Sequence, residues 1–196
     1  MRQAYNDAYY IDRILSGDKN SFAYLVERHK DMVFTIAKRM LQNQEDAEEV
    51  AQDAFMKAYK SLKKFKGESK FSTWLYKIVY NLAISKLRKK KHDTFSIDDS
   101  DNSHFEAIEE SSYNKLQDLE RTDQRNYIKT AIEQLNYEER TVVTLYYQKE
   151  QKVSEIAEIT GLSASNVKVK LFRARKKLYD KLYSLFNNTE KASYDE

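Results

Sequence analysis

The sequence of 196 residues contains no cysteine, no proline and only three glycines. The lack of cysteine excludes disulfides, thiolate-bound metals and thiol nucleophiles, and it suits a reducing compartment. Because glycine and proline punctuate tight turns, their scarcity favours helices over sheets. We therefore expect an all-α protein.

Long apolar runs are lacking as well. No stretch is long enough to span a bilayer. The first twenty residues, MRQAYNDAYYIDRILSGDKN, have no uninterrupted apolar core and do not resemble a secretory signal. The sequence therefore predicts a cytoplasmic protein that does not insert into a membrane.

Basic and acidic residues nearly balance, with 34 Lys and Arg against 31 Asp and Glu. Their distribution is uneven, because cations gather in residues 86–91 (KLRKKK) and 168–177. Between these runs, residues 92–125 carry ten acids against three basic residues. This pattern predicts two anion-binding surfaces joined by an acidic tether.

Apolar spacing in the first half predicts consecutive helices over residues 22–41, about 46–62 and 73 to about 88. Residues 43–46 offer a cap for the second helix, and Ser72 is the expected cap of the third. The expected architecture is two small helical domains, residues 1–91 and 126–186. An acidic flexible linker (92–125) would join them, and a frayed tail (187–196) would follow.

Capping signals also divide the second half. Asn136 and Glu139 have the spacing of a capping box that opens one helix. Ser154 is the expected start of a short helix, and either Ser163 or Ser165 would begin the last long one.

Residues 161–178 (GLSASNVKVKLFRARKKL) hold six Lys or Arg and no acid. At 100° per residue, one stripe of this helix is apolar and must face a core: Val167, Leu171, Ala174 and Leu178. The opposite strip combines short groups with cations: Ser165, Asn166, Val169, Arg173 and Lys176. On its two sides lie further cations: Lys168 and Arg175, then Lys170 and Lys177. A strip of this kind can meet base edges while its borders meet phosphates.

The residues before this helix help to distinguish a DNA-binding helix from a basic helix that is only solvated. A basic surface helix whose Lys and Arg are only solvated would explain the charge equally well. However, small Ala157 is followed four residues later by Gly161 and then by Val167. This spacing is typical of a helix-turn-helix, whose second helix enters the major groove. It therefore favours DNA binding over the solvated helix.

Residues 65–91 also show a helical pattern with two chemically different faces. One helical face is apolar, and another carries Trp74, Lys77, Asn81, Ile84 and Arg88. Aromatic residues beside amides and cations can stack on unpaired bases and hold the backbone. The alternative places the aromatic rings in the core. We expect Phe71 to be mostly core, Trp74 to lie at the core edge and Phe65 to be more exposed.

Nothing in the sequence predicts an enzyme. The three histidines are scattered without metal-ligand spacing, and no phosphate-binding loop is present. We therefore expect no catalytic residues, no metal site and no cofactor.

Three stretches together carry a family resemblance: GDKNSFAYLVERHKDMVFTIAKRML, DAEEVAQDAFMKAYKSLKKFKGESKFSTWLYKIVYNLAISKLRKK and LNYEERTVVTLYYQKEQKVSEIAEITGLSASNVKVKLFRARKKL. They resemble the extracytoplasmic-function sigma factors of bacteria over residues 11–91 and 128–182. The resemblance implies a sigma-two and a sigma-four domain that direct RNA polymerase core to promoters at transcription initiation. It also implies contacts to the polymerase clamp helices and flap, and it makes a membrane-bound anti-sigma partner plausible.

The resemblance assigns expected roles to individual residues. Glu49, Gln52 and Asp53 match the positions that dock on the clamp helices. The expected contacts to the −10 element are Phe65, Phe71, Trp74, Lys77, Asn81 and Arg88, with the loop 65–71 taking a flipped-out base. The run KLRKKK would hold backbone phosphates. The expected contacts to the −35 element are Ser165, Asn166, Lys168, Val169, Lys170, Phe172, Arg173 and Lys176.

Three residues depart from the family pattern: Tyr80, Asn136 and Val169. Tyr80 is bulkier than usual, Asn136 replaces a common proline, and Val169 stands where small polar residues are frequent. The promoter sequence therefore does not follow from the resemblance. A helix-turn-helix regulator that is not a polymerase subunit is the alternative; it would explain residues 161–178 but not residues 65–91.

Overall fold

The computed structural model describes residues 5–93, 121–149 and 151–192, which form eight α-helices and no strand. Most of the expected linker, residues 94–120, lies outside these ranges. Across the described ranges, no helix is both long and apolar enough to cross a bilayer. The helices are α1 (Asp7–Leu15), α2 (Phe22–Leu41), α3 (Gln44–Ser61), α4 (Phe71–Asp93), α5 (Arg121–Glu133), α6 (Tyr137–Lys149), α7 (Val153–Thr160) and α8 (Ala164–Ala192).

Helices α2, α3 and α4 pack against one another as a bundle. The face that α3 turns to its neighbours is lined by Ala47, Ala54 and Ala58, all with no exposed surface. Because alanine side chains are short, the helices can approach closely. Helix α2 contributes larger buried residues, Leu25 and Ile36 among them, to the same core.

The predicted caps of α3 and α6 are confirmed. The side-chain oxygen of Asn43 accepts a hydrogen bond of 2.9 Å from the Asp46 N–H. In the capping box of α6, Asn136 Oδ1 accepts from the Glu139 N–H at 2.9 Å, and the Asn136 N–H donates to Glu139 Oε2 at 3.4 Å. These bonds satisfy amide groups that have no partner within the helix.

The predicted caps Ser72 and Ser154 are wrong. Helix α4 already begins at Phe71, whose ring is 3% exposed, so core packing fixes the helix start ahead of Ser72. Helix α7 begins at Val153, and the N–H of Lys152 donates to Glu155 Oε2 at 2.8 Å. Glutamate therefore stabilises this end, where a serine cap had been expected.

Three helices run further than the sequence pattern indicated. Helix α4 continues to Asp93, and α5 begins at Arg121, so each enters the range expected to be linker. Helix α8 continues to Ala192, into the range expected to be a frayed tail. Residues 164–192 contain neither glycine nor proline, so no backbone breaker interrupts α8.

Helix α1 is tied to α2 by the carboxylate of Asp7. Its two oxygens lie 2.6 Å from Arg28 NH1 and 3.0 Å from His29 Nε2. Burial opposes ionisation of this carboxyl, but the hydrogen bonds and charges of His29 and Arg28 outweigh burial and hold its pKa below the ordinary value. Since His29 is itself buried, Asp7 anchors α1 to the core.

The two halves of the chain pack together. Helix α6 lies against α2, and α7 lies against α4. One continuous apolar core includes Leu25 and Leu75 from the first three-helix bundle together with Val142, Ile156 and Val167 from the second part. The two halves therefore share buried surface in addition to the chain that links them.

Candidate nucleic-acid and polymerase interface

Helices α7 and α8 form a helix-turn-helix. Gly161 adopts a φ of 75°, and its N–H donates to the Ala157 carbonyl at 2.9 Å. This left-handed conformation favours glycine, which lacks the Cβ that would strain it. Ser163 then caps α8, because its Oγ accepts from the Asn166 N–H at 3.2 Å. The turn predicted from the spacing is confirmed.

The phase calculated for α8 is confirmed on its core side. Val167, Leu171 and Ala174 are buried, and Leu178 is partly buried against the cluster that includes Ala174. Among the expected −35 contacts, four are exposed: Ser165, Asn166, Lys168 and Lys176. The other four are half-buried: Val169, Lys170, Phe172 and Arg173. The exposed residues near the start of α8 thus leave a polar, cationic surface open to a ligand.

One border of that surface already has counter-ions. Lys170 Nζ lies 2.5 Å from Glu138 Oε2, and Lys177 Nζ lies 3.0 Å from Glu139 Oε1. Both glutamates belong to the first turn of α6, where the helix dipole favours negative charge. These two lysines therefore help to hold α8 on α6, a role that the helical phase did not predict.

On the other border, Arg175 is held by two tyrosines. Its Nε donates to the hydroxyl of Tyr147 at 2.6 Å, and its guanidinium lies 5.6 Å from the ring centre of Tyr146. Hydrogen bonding and cation–π attraction fix the side chain along α6. Lys168 on the same border is exposed.

The aromatic residues near the start of α4 form a cluster of three rings. The ring of Phe65 lies 5.3 Å from that of Trp74 and 5.8 Å from that of Phe71, measured between centroids. Phe71 is buried, whereas Phe65 and Trp74 are half-buried. Phe71 therefore supports the cluster from the core, and the outer two rings supply aromatic surface.

Further along α4, three expected −10 contacts are exposed: Lys77, Asn81 and Arg88. They follow Trp74 at intervals of three, four and seven residues, so the four residues lie on one helical face. An amide and two cations beside an aromatic cluster can hydrogen-bond bases and attract phosphates.

The basic run at the end of α4 is partly neutralised by α3. Lys86 Nζ lies 2.5 Å from Glu49 and 3.2 Å from Asp46, and Lys90 also pairs with Asp46. Hydrogen bonds from Lys90 and Lys86 outweigh desolvation and hold the pKa of Asp46 below its ordinary value. Lys86 and Lys90 therefore join two helices of the bundle, in addition to any phosphate contact.

The outer face of α3 carries the expected polymerase contacts. Glu49, Gln52 and Asp53 are all exposed, and they lie within about one helical turn of each other. Glu49 is the one that contacts α4, through Lys86. Within the described residues, no group of three or more potential ligands could hold a metal ion.

The sequence patterns missed the residues that join the two halves. Arg140 is buried in the structure, although a charged residue in a helix is usually assigned to the surface. Gln42, which ends α2 at a φ of 53°, reaches across to the carbonyl of Glu133. A non-glycine residue in this left-handed conformation is uncommon, but the sequence alone gives no sign of it.

Comparison with known proteins covers both halves. Residues 25–92 match the family model of Sigma-70 region 2, and residues 125–178 match that of Sigma-70, region 4. The ECF RNA polymerase sigma factor SigW of Bacillus subtilis strain 168 is 34% identical over 183 residues, which are 89% of this chain and 96% of that protein.

Two solved structures share the fold. CnrH in complex with the cytosolic domain of CnrY has a TM-score of 0.64 and 22% identity, over 91% of this chain and 97% of that one. The sigma factor RpoE of Bartonella quintana, in complex with the anti-sigma factor NepR, has a TM-score of 0.62 and 23% identity, over 83% of this chain and 96% of that one.

Proposed function

The chain belongs to the extracytoplasmic-function RNA polymerase sigma factors, and on this premise we propose which of its surfaces contact promoter DNA and polymerase. It is a transcription initiation factor, not an enzyme, and it acts by binding RNA polymerase core and promoter DNA. We assign the sigma-two part to residues 1–91 and the sigma-four part to residues 126–186, with 92–125 between them and 187–196 as the tail.

The −35 element is bound by the start of α8. Four exposed residues, Ser165, Asn166, Lys168 and Lys176, offer hydrogen-bonding groups and positive charge at one surface. Val169 and Arg173 lie beside them and contact base edges, Val169 through a thymine methyl group. Phe172 supports this surface, and Lys170 contributes less charge than Lys168 because it is paired with Glu138.

The −10 element is bound by the aromatic cluster and α4. Phe65 and Trp74 present ring surface on which an unpaired base can stack, while Phe71 holds them from the core. Asn81 hydrogen-bonds a base of the opened strand, and Lys77 and Arg88 contact its phosphates. The exposure of all three polar residues supports this assignment.

Polymerase core is bound by the outer face of α3. Glu49, Gln52 and Asp53 share that face, and Glu49 also pairs with Lys86 of α4. An acidic surface suits a partner that presents cations at the clamp helices. The flap is the expected second contact, made by the sigma-four part.

An anti-sigma factor is a further partner. The solved relative RpoE was captured with the anti-sigma factor NepR, which supports a similar partner for this chain. Since polymerase and chromosomal DNA lie inside the bacterial cell, we place the protein in the cytoplasm.

One observation carries the proposal above all: both halves match sigma-70 models in order, and each presents its own cationic surface. A helix-turn-helix regulator that is not a polymerase subunit is not favoured, because it leaves the match to region 2 unexplained.

The experiment that tests this function is transcription with purified core polymerase that lacks any other sigma factor. Genomic fragments serve as templates, and the 5′ ends of the transcripts are sequenced. We expect initiation at defined positions that share upstream elements, and only when the chain is added. No binding to core, or initiation at random positions, would contradict the proposed function.

A further inference from the structure

His29 of α2 connects helix α1 to the aromatic cluster of the proposed −10 surface. The residue is only 6% exposed, and its Nε2 lies 3.0 Å from Asp7 Oδ2. The same ring packs against Phe71, with the ring centroids 5.5 Å apart and the ring planes tilted by 59°. Phe71 in turn lies 5.8 Å from Phe65 and 5.7 Å from Trp74. A continuous line of contacts therefore runs from Asp7 to the two rings proposed to stack on a base.

The carboxylate of Asp7 fixes the orientation of the His29 ring. Rotation of a histidine ring about its Cβ–Cγ bond has a broad energy profile, so hydrogen bonds and packing choose the orientation. Asp7 is itself held, because its other oxygen lies 2.6 Å from Arg28 NH1. Arg28 NH2 also donates to the carbonyl of Tyr5 at 2.5 Å. The contact with Asp7 therefore selects the ring orientation that Phe71 meets.

Helix α1 supports the cluster by a second route. It lies against the short 3-10 turn Leu62–Lys64, which directly precedes Phe65. The N–H of Phe65 donates to the Leu62 carbonyl at 3.0 Å, and Leu62 is buried. Because Asp7 anchors α1, the position of Phe65 depends on the same carboxylate.

A hydrogen-bonded histidine in the core could also serve stability alone. An apolar residue of similar size would fill the same space, however, without the desolvation cost of an imidazole and a carboxylate. What the polar pair adds is a single ring orientation next to Phe71. Base stacking depends on such precision, since one stacked base strengthens binding roughly 5- to 150-fold.

We propose that Asp7 and His29 are positioning residues for the −10 element, which hold Phe71 and, through it, the rings of Phe65 and Trp74. His29 is buried, so it acts through Phe71 and not on the base itself. The inference rests on the proposed function, because that function assigns the cluster to the −10 element.

The fluorescence of Trp74 tests the positioning in the free chain, because Trp74 is the only tryptophan. His29→Gln keeps an amide that can donate to Asp7 but removes the ring against Phe71. His29→Phe keeps a ring but loses the hydrogen bond. Both variants should shift the emission of Trp74 to longer wavelength and raise its quenching by acrylamide, because a displaced cluster exposes the half-buried indole.

Val50→Ala is the matched control for lost stability. Val50 is 3% exposed in the same bundle, and its neighbour Glu49 pairs with Lys86. Lys86 follows Phe71 by fifteen residues of helix, or about 22 Å, so Val50 lies far from the cluster. Chemical denaturation shows that each variant is folded, and Val50→Ala should leave the fluorescence of Trp74 unchanged.

Two results in the free chain would overturn the positioning role. One is unchanged fluorescence of Trp74 in both folded His29 variants. The other is an equal shift in Val50→Ala, which would mean that any loosening of the bundle disturbs the cluster. This measurement needs neither DNA nor polymerase, so it is independent of whether the proposed function is correct.

Promoter opening by the complex with core polymerase tests the consequence for DNA. We expect His29→Gln to slow opening of the −10 region roughly tenfold, within the range for loss of one stacked base. Binding to a duplex that carries the −35 element but ends before the −10 element should not change. Permanganate reactivity over time and binding titrations measure the two quantities. An equal loss on both templates would mean general damage and would contradict the proposal.

A double variant distinguishes positioning from stability. If His29 acts through the cluster, His29→Gln should slow opening less in a Phe65→Ala chain than in the unmodified chain, because the shared target is already lost. Val50→Ala, by contrast, should have the same effect in both chains. If His29→Gln slowed opening by the same factor in both, His29 would not act through the cluster.

Discussion

Lys170 and Glu138 form an ion pair of 2.5 Å between α8 and α6, so one cation at the border of the proposed DNA-binding surface has its own counter-ion. Lys168, on the opposite border, is exposed. The two lysines are therefore unequal, although they are two residues apart and the helical phase treats them alike.

This difference is measurable through the salt dependence of promoter binding. Lys168→Ala should lower the slope of log affinity against log salt by about 0.9, because one phosphate contact is lost. Lys170→Ala should lower it by less, because Glu138 already neutralises that lysine. Binding titrations at several salt concentrations give both slopes, and equal slopes would show that the ion pair opens on DNA.

Arg173 should distinguish promoter sequences. If it contacts a base edge, Arg173→Ala loses about 1–3 kcal/mol on the preferred −35 sequence and much less on variants altered at the contacted base. The control is Arg175→Ala, since Arg175 is held by Tyr147 and should not discriminate between sequences. Binding to a panel of single-base promoter variants compares the two. A uniform loss for Arg173→Ala would exclude base contact.

Within the aromatic cluster, we expect Phe71 to be important for stability and Phe65 for promoter opening. Phe71→Ala should lower the free energy of unfolding by about 3–5 kcal/mol, because it empties a buried site. Phe65→Ala should cost less stability, because Phe65 is half-buried, yet it should reduce opening of the −10 region. Chemical denaturation and permanganate footprinting measure the two effects. Normal promoter opening by a folded Phe65→Ala protein would argue against a stacking role.

The acidic face of α3 should control affinity for polymerase core. Glu49→Lys is expected to weaken core binding about tenfold or more, because it replaces a carboxylate with a cation that repels a cationic partner surface. It also breaks the ion pair with Lys86. Gln52→Lys is therefore a second variant, because it changes the same face and leaves that ion pair intact. Glu27→Lys, the same charge reversal at an exposed residue of α2, serves as the control. If all three variants bound core alike, the docking face would lie elsewhere.

Asp7 should make stability depend on acid pH. Its folded-state pKa is held below the ordinary value, so its contribution is present above about pH 4 and is lost as the pH falls through the folded value. Asp7→Asn should therefore lower stability at neutral pH by about 1–2 kcal/mol and flatten the decline in acid. Denaturation curves from pH 7 to pH 2 test this. Asp12→Asn, an exposed neighbour in α1, should leave the curve unchanged.

Local signals in the sequence predicted much of the fold because they involve neighbouring residues. Asn43 with Asp46, Asn136 with Glu139, and Gly161 with Ala157 are all separated by three or four positions, so spacing alone reveals them. The same holds for the buried stripe of α8. Where tertiary packing overrides a local cap, as at Phe71, spacing fails.

The contact between the two halves had no local signal. Arg140 bonds the backbone carbonyl of Arg39, and a carbonyl is present at every residue, so no residue type marks the partner. Lys70 and Glu155, which form an ion pair, belong to different halves of the chain, with many equivalent lysines and glutamates between them. Such pairings follow only from the three-dimensional arrangement.

Replacing Gln42, whose backbone is left-handed, would have opposite effects on the end of α2 and on its hydrogen bond to α5. At a φ of 53°, glycine would relax the end of α2 by about 1 kcal/mol. Glycine, however, lacks the side-chain amide that donates to the Glu133 carbonyl. Glycine at this position would thus stabilise the first bundle and weaken the contact between the two halves. The stability of the α2 end and the contact between the two halves are therefore coupled at this single position.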